Sequence, residues 1–162
     1  MEQDLVRSAE RLFNLLSAGG LTLSVAESCT GGLVCHAITS IAGSSKVFHS
    51  GLVAYSNDAK VNILGVDEGL ISSVGAVSRE AAEAMADAVR LKTGTDVSLA
   101  VTGNLGPEVL EGKELGLVYL AVSFGSETLV KEKVFHGDRR HNKYEAAREG
   151  IEFLLGMLSE AA

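Results

Sequence analysis

The chain has 162 residues, 46% of them apolar and 22% charged, with one Pro, no Trp and a formal charge of −7. That length is enough to bury a real core in one domain spanning 1–162, and the acidic balance argues against a general nucleic-acid or membrane-surface role, either of which wants a basic face. Only Cys29 and Cys35 are present, in neither a metal-ligand spacing nor a disulfide framework. The start Met1-Glu2-Gln3-Asp4 is acidic and no apolar run approaches membrane length, so a reducing, cytoplasmic setting is expected.

From Glu2 to Ala18 the residues Leu5, Ala9, Leu12, Phe13 and Leu16 share one helical face, and Gly19-Gly20 ends the pattern. A strand over Thr22 to Ala26 breaks into Glu27-Ser28-Cys29-Thr30-Gly31-Gly32, and a helix over about Gly31 to Ser40 follows. After the loop Ile41 to Ser45, the run Gly51 to Tyr55 reads as a buried strand, and Asn57 or Asp58 caps a short helix through Leu64. Gly65 to Val77 reads as a polar connection. Ser78 then opens a helix that buries Ala82, Met85, Ala86 and Val89 until Gly94. Val97 to Val101 is a further buried strand, ending in Thr102-Gly103-Asn104-Leu105-Gly106-Pro107. Gly116 to Phe124 and Glu127 to Phe135 form a hairpin, and a helix bearing Tyr144, Ala147, Ile151, Leu154, Leu155 and Leu158 closes the chain. The expected fold is α/β: a three-layer α/β/α sandwich around a mixed, largely parallel sheet.

The chemistry belongs to the polar turns at the strand ends, since ligands of open α/β sheets bind in crevices there. The turn from Glu27 to Gly32 offers two hydroxyls, a thiol, close backbone approach at the glycines and a helix N-terminus suited to an anion. Thr30 could equally be a simple N-cap, with the glycines serving only a tight turn. Lys60, near a helix start, is either an ordinary solvated lysine or, held close to Tyr55 and partly desolvated, a base. Gly106 to Lys113 fails as a phosphate loop because the spacing is wrong and Glu114 stands where Ser or Thr would bind magnesium. The four histidines have no metal spacing, and no metal or cofactor is expected. The acidic balance leaves room for one local basic pocket, which the C-terminal cations Lys131, Lys133, Arg139, Arg140 and Lys143 could form.

As a set, Ala26-Glu27-Ser28-Cys29-Thr30-Gly31-Gly32, Ala42-Gly43-Ser44-Ser45, Tyr55-Ser56-Asn57 with Ala59-Lys60, Gly75-Ala76-Val77-Ser78, Thr102-Gly103 with Gly106-Pro107, and Gly137-Asp138-Arg139 resemble the nicotinamide-nucleotide amidase family, the C-terminal domain of CinA proteins. The resemblance implies hydrolysis of the carboxamide of nicotinamide mononucleotide to nicotinate mononucleotide and ammonia, without metal or cofactor. It carries a Ser-Lys mechanism onto Ser45 and Lys60, with Tyr55 and Ser28 in the same site. Thr30, Gly31, Gly32 and Arg139 would bind the phosphate, Thr102 and Gly103 would line the nucleotide, and backbone N–H groups of the glycine turns could hold oxyanion or phosphate. A five-residue strand separates Ser45 from Lys60 by about 17 Å. Either the Ser44-Ser45 loop climbs back, or a neighbouring subunit supplies one partner, or Ser28 has the larger role. The chain departs from the family pattern at Asn104-Leu105, at Glu108 to Lys113, and at Asn142 and Lys143, where a lysine lacks the bidentate grip of arginine. The alternative function is a non-catalytic nucleotide- or partner-binding module. Self-association would use the first helix or the hairpin edge.

Overall fold

The structure, a computed structural model, describes residues 1–161. Five strands, β1 (Leu23–Glu27), β2 (Phe48–Val53), β3 (Val97–Gly103), β4 (Leu117–Phe124) and β5 (Glu127–Val134), form one sheet in the order β2-β1-β3-β4-β5. β2, β1 and β3 run parallel, while β4 and β5 are the antiparallel hairpin turned at Gly125. The chain leaves β1 for β2 on one side and returns to β3 on the other. β1 is therefore the switch point where the connections diverge and a crevice opens at the carboxyl ends of the strands.

The helices are α1 (Glu2–Gly19), α2 (Leu33–Thr39), α3 (Asn57–Ala59), α4 (Glu68–Val74), α5 (Arg79–Thr93) and α6 (Arg139–Ala161). α1, α2 and α6 cover one face of the sheet, packing Leu5, Leu12, Leu16, Ile151 and Leu154 against Leu23, Val25, Leu99 and Val101. Each such leucine contributes about 1.5–3 kcal/mol of burial. α5 covers the other face, where Ala26, Ala100 and Ala121 meet Ala81, Ala82, Met85 and Ala86. The strand side chains on that side are small enough that Ser98 Oγ donates to the helix carbonyl of Ala86 at 2.6 Å. The three-layer α/β/α reading and the mixed sheet hold.

Three elements differ from expectation. β2 begins at Phe48, three residues early, because Phe48 to Val53 pairs along the whole of β1. The supposed connection from Gly65 to Val77 contains α4, capped by Asp67, whose carboxylate accepts from Leu70 N–H at 2.9 Å; only Ile71 of it is buried, so it leaves little periodicity. The cap of α3 is Ser56 rather than Asn57 or Asp58: its hydroxyl accepts from Ala59 N–H at 3.0 Å. A π-helical turn, Lys60–Leu64, follows, a feature that often marks functional sites.

Candidate active site

Ser28 follows the last residue of β1. Its N–H donates to Val101 O at 2.9 Å, and the carbonyl of Glu27 accepts from Ala54 N–H at 2.8 Å, so the strands on both sides hold this strand end. Lys60 enters from the π-turn beyond β2 and is 1% exposed. Its ammonium donates to Ser28 Oγ at 2.8 Å, to Ala54 O at 2.9 Å and to Tyr55 O at 3.1 Å. Burial pushes its pKa below the ordinary lysine value, opposed at neutral pH by the charge of Glu111. Burial and the Glu27 carboxylate push the Cys29 thiol up to about 12, so it stays protonated at neutral pH. A neutral amine has two N–H bonds and one lone pair. With both carbonyls taking N–H bonds, the lone pair is left facing the Ser28 hydroxyl.

Tyr55 ties this pair to the start of α6. Its carbonyl holds Lys60, and its hydroxyl accepts from Arg139 Nη2 at 2.9 Å. Arg139 Nη1 donates to Gly106 O at 2.6 Å. Beyond Arg139 opens a cavity of about 610 Å³, walled by Leu105, Pro107, Leu115 and Phe135 with Asn142 and His136 at its rim.

The glycine turn is built differently from its sequence reading. The Glu27 side chain is fully buried and accepts from the N–H groups of Gly32 (3.1 Å), Val34 (3.1 Å) and Cys35 (2.8 Å). Gly31 N–H donates to Ser28 O and Leu33 N–H to Thr30 O. The anion at the start of α2 is thus a side chain of the protein, and the N–H groups of Gly31 and Gly32 are not free for phosphate or oxyanion. Sequence reasoning passed over Glu27; the signal was an acidic residue at a strand end just ahead of a helix start, where a carboxylate satisfies orphan N–H groups. Thr30 does not cap α2 with its side chain: its hydroxyl is the one buried side-chain oxygen without a partner among the described residues.

Ser28, Tyr55, Lys60 and Arg139 are therefore linked by direct bonds, with Thr30, Gly31 and Gly32 in the adjoining turn. Ser45 stands apart. It is exposed in the 3-10 turn Ser44–Lys46, two residues before Val47, whose carbonyl accepts from Leu23 N–H at the beginning of β1. That turn lies at the amino edge of the sheet and Ser28 at the carboxyl edge, about 17 Å away at the usual strand rise. The loop does not climb back to Lys60 within the chain.

Thr102 and Gly103 reach the right edge but serve the fold. The Thr102 hydroxyl donates to Ala76 O at 2.8 Å, and a Cβ on Gly103 would lie 2.7 Å from Leu117 O. The altered segment after Gly103 is tied to the end of α4 and the connection that leads into α5. Glu111 accepts from Val77 N–H at 2.9 Å, and Lys113 donates to Val74 O at 2.7 Å and to Val77 O. Asn104 donates to Lys113 O, and Asn142 accepts from Gly137 N–H at 2.9 Å and donates to Leu105 O at 3.2 Å, so both residues brace neighbouring loops. Among the described residues, no three His, Cys, Asp or Glu side chains are grouped to hold a metal ion, and no helix is long and apolar enough to cross a membrane.

The arrangement defines an α/β protein of the three-layer class, with a buried lysine against a serine at the switch point of a mixed sheet. A family model described as the CinA C-terminal domain matches residues 6–158, and the chain belongs to that family. A putative competence-damage inducible protein of Moorella thermoacetica is 45% identical over 141 residues, covering 86% of this chain and 34% of that protein. The chain spans about a third of the length of the curated relatives it matches. The crystal structure of a CinA superfamily protein from Klebsiella pneumoniae superimposes with a TM-score of 0.94 at 29% identity, covering 96% of this chain and 98% of that one. That of the competence/damage inducible protein CihA from Agrobacterium tumefaciens gives a TM-score of 0.91 at 37% identity, with 96% of each chain covered.

Proposed function

We propose that the protein is an amidase that hydrolyses the carboxamide of nicotinamide mononucleotide, with Ser28 as nucleophile and Lys60 as base. The contact of 2.8 Å between Lys60 Nζ and Ser28 Oγ, in a site that lowers the lysine pKa, carries this reading. Ser28 Oγ attacks the carboxamide carbon as its proton passes to neutral Lys60. The tetrahedral adduct collapses when Lys60 delivers that proton to the departing nitrogen, releasing ammonia and leaving an ester on Ser28. Water then attacks the ester carbon and gives a proton to Lys60. The C–O bond to Ser28 breaks, and the serine oxygen takes the proton back. Two carbonyls hold the lysine in register throughout, so it can accept and return one proton without changing place.

The test is ammonia release from nicotinamide mononucleotide, beside nicotinamide and nicotinamide riboside, for the native protein and for Ser28→Ala and Ser45→Ala. Release from the mononucleotide that Ser28→Ala abolishes and Ser45→Ala retains supports the assignment. The reverse pattern transfers the nucleophile to Ser45, which would have to come from a neighbouring copy of the chain. A folded protein that binds the mononucleotide and releases no ammonia is instead a non-catalytic nucleotide-binding module.

A further inference from the structure

We propose that Glu111, in the segment that departs from the family pattern, is the counter-charge for Lys60 while the lysine carries the serine proton. It acts through Lys60 and so is a positioning residue. The inference rests on the Ser28–Lys60 amidase reading for the step it serves and on the packing around Lys60 for its charge.

That step puts a positive charge where the surroundings oppose one. Lys60 is 1% exposed, and its N–H bonds run to the neutral carbonyls of Ala54 and Tyr55. When the amine takes the Ser28 proton it becomes an ion cut off from water, which burial disfavours. Carbonyls satisfy its protons; a fixed negative charge offsets its own.

The groups around the lysine leave one such charge. From the turn after β1, Cys29 faces Lys60, but a thiol pushed up to about 12 is uncharged at neutral pH. Glu27, behind it, is engaged by three N–H groups at the start of α2. Beside the lysine's own turn Asp58 accepts from Asn62 at 2.6 Å, and Asp67 caps α4. Arg79 and Glu80, in the first turn of α5, act on Tyr119. From α6 Arg139 brings a further positive charge to Tyr55. Glu111 is the carboxylate whose charge acts on Lys60.

Its placement is built. Val77 N–H donates to Glu111 Oε1 at 2.9 Å, Lys113 Nζ lies 3.7 Å from Oε2, and the Glu111 side chain is only 29% exposed. Gly75, at φ +82°, makes room for it: a Cβ there would sit 2.8 Å from the carboxylate carbon. Glu111 is also the one non-glycine residue with positive φ among the described residues, at +56°. A residue needed only to turn the chain there would be glycine or asparagine; the aim of the carboxylate accounts for the strained backbone. The loop it grips is fixed to the strand ends, because Thr102 donates to Ala76 O at 2.8 Å while Val101 O accepts from Ser28 N–H at 2.9 Å. Lys60 comes to those strand ends on the α5 side of the sheet, where Leu64 and Val66 pack with Ala81 and Ala82, and Glu111 comes to them through Val77, just ahead of α5.

The experiment reads Lys60 directly, by NMR titration of isotope-labelled lysine in the full chain, with the Lys60 signal assigned by its loss in Lys60→Met. Glu111→Gln keeps an oxygen for Val77 N–H and removes the charge, Glu111→Ala removes both, and Glu108→Gln removes an exposed charge from the same segment. The Lys60 midpoint should move to lower pH in Glu111→Gln and equally in Glu111→Ala, with the melting temperature lowered chiefly in the Ala variant. In ammonia release from nicotinamide mononucleotide, Glu111→Gln should move the inflection to lower pH and cut the plateau rate about threefold or more, as a weaker base does, with KM unchanged. A midpoint unmoved in Glu111→Gln, moved only in Glu111→Ala as a purely structural role requires, or moved equally by Glu108→Gln would overturn the counter-charge. The titration needs no turnover, so a protein that releases no ammonia refutes the amidase reading while the titration still decides whether Glu111 governs the charge of Lys60.

Discussion

Glu27 is the residue whose replacement tests the reading of the Ser28 turn most sharply. Its Oε2 accepts from Gly32 and Val34 N–H and its Oε1 from Cys35 N–H, all inside the protein. In Glu27→Gln the amide oxygen can keep the first two donors, but the NH2 group then points at Cys35 N–H, donor against donor. One unsatisfied buried donor costs about 1–3 kcal/mol, and two bonds lose their charge assistance, so the variant should lose about 2–4 kcal/mol. At about 2–4 °C per kcal/mol for a chain of this size, the melting temperature should fall by roughly 5–15 °C. Urea denaturation should give a lower midpoint with an unchanged slope. Hydrogen exchange should localise the damage: the Cys35 amide loses protection while Leu33, bonded to Thr30 O, keeps it. A Glu27→Gln protein within about 0.5 kcal/mol of the native one, the range of an ordinary surface change, would mean that the carboxylate does not hold this turn.

Lys60 and Cys29 offer tests by pH. Ammonia release should rise with pH and level off at the lowered pKa of Lys60, below where an ordinary lysine at about 10.4 would give the plateau. Stability follows the same group. Between the lowered folded value and the unfolded one the unfolded chain holds the extra proton, so raising pH through that window stabilises the fold, and below the window the penalty is constant. The native protein should therefore gain stability relative to Lys60→Met as pH rises through the window; a difference that stays flat with pH would refute the burial argument. Cys29, with its thiol raised to about 12, should resist iodoacetamide at pH 8 in the folded protein and react once unfolded, as mass spectrometry of the labelled peptide would record.

Much of the fold was legible because apolar pattern and caps agreed. The faces of α1, α5 and α6, the Ser78 cap and the turn at Gly125 all follow from spacing and turn chemistry. α4 escaped because it buries only Ile71. At the candidate site, the strand-end turn and the closeness of Lys60 to Tyr55 were legible. The burial of Lys60 was not, since a lysine near a helix start is ordinarily solvated and only the meeting of β1 with the π-turn after β2 seals it. Thr102 and Gly103 looked like loop residues because β3 runs two positions further than its apolar core, into register with Tyr119 and Val118 of β4. Ser45 and Lys60 are joined by the family resemblance but lie toward opposite ends of the parallel strands β1 and β2, a separation that a linear pattern does not encode.

The two faces of the sheet set opposite rules for anyone redesigning the protein. Toward α5 the strands present Ser24, Ala26, Ser98 and Ala100, with Ser98 bonded directly to the helix backbone. There an added methylene has nowhere to go, and overpacking typically costs about 1–3 kcal/mol. Toward α1 and α6 the contacts are Leu, Ile and Val, where truncation to Ala empties space at about 2–5 kcal/mol. A combinatorial library for thermal hardening should therefore hold side-chain volume down on the α5 side and preserve it on the other, because a uniform hydrophobic alphabet would spoil both layers.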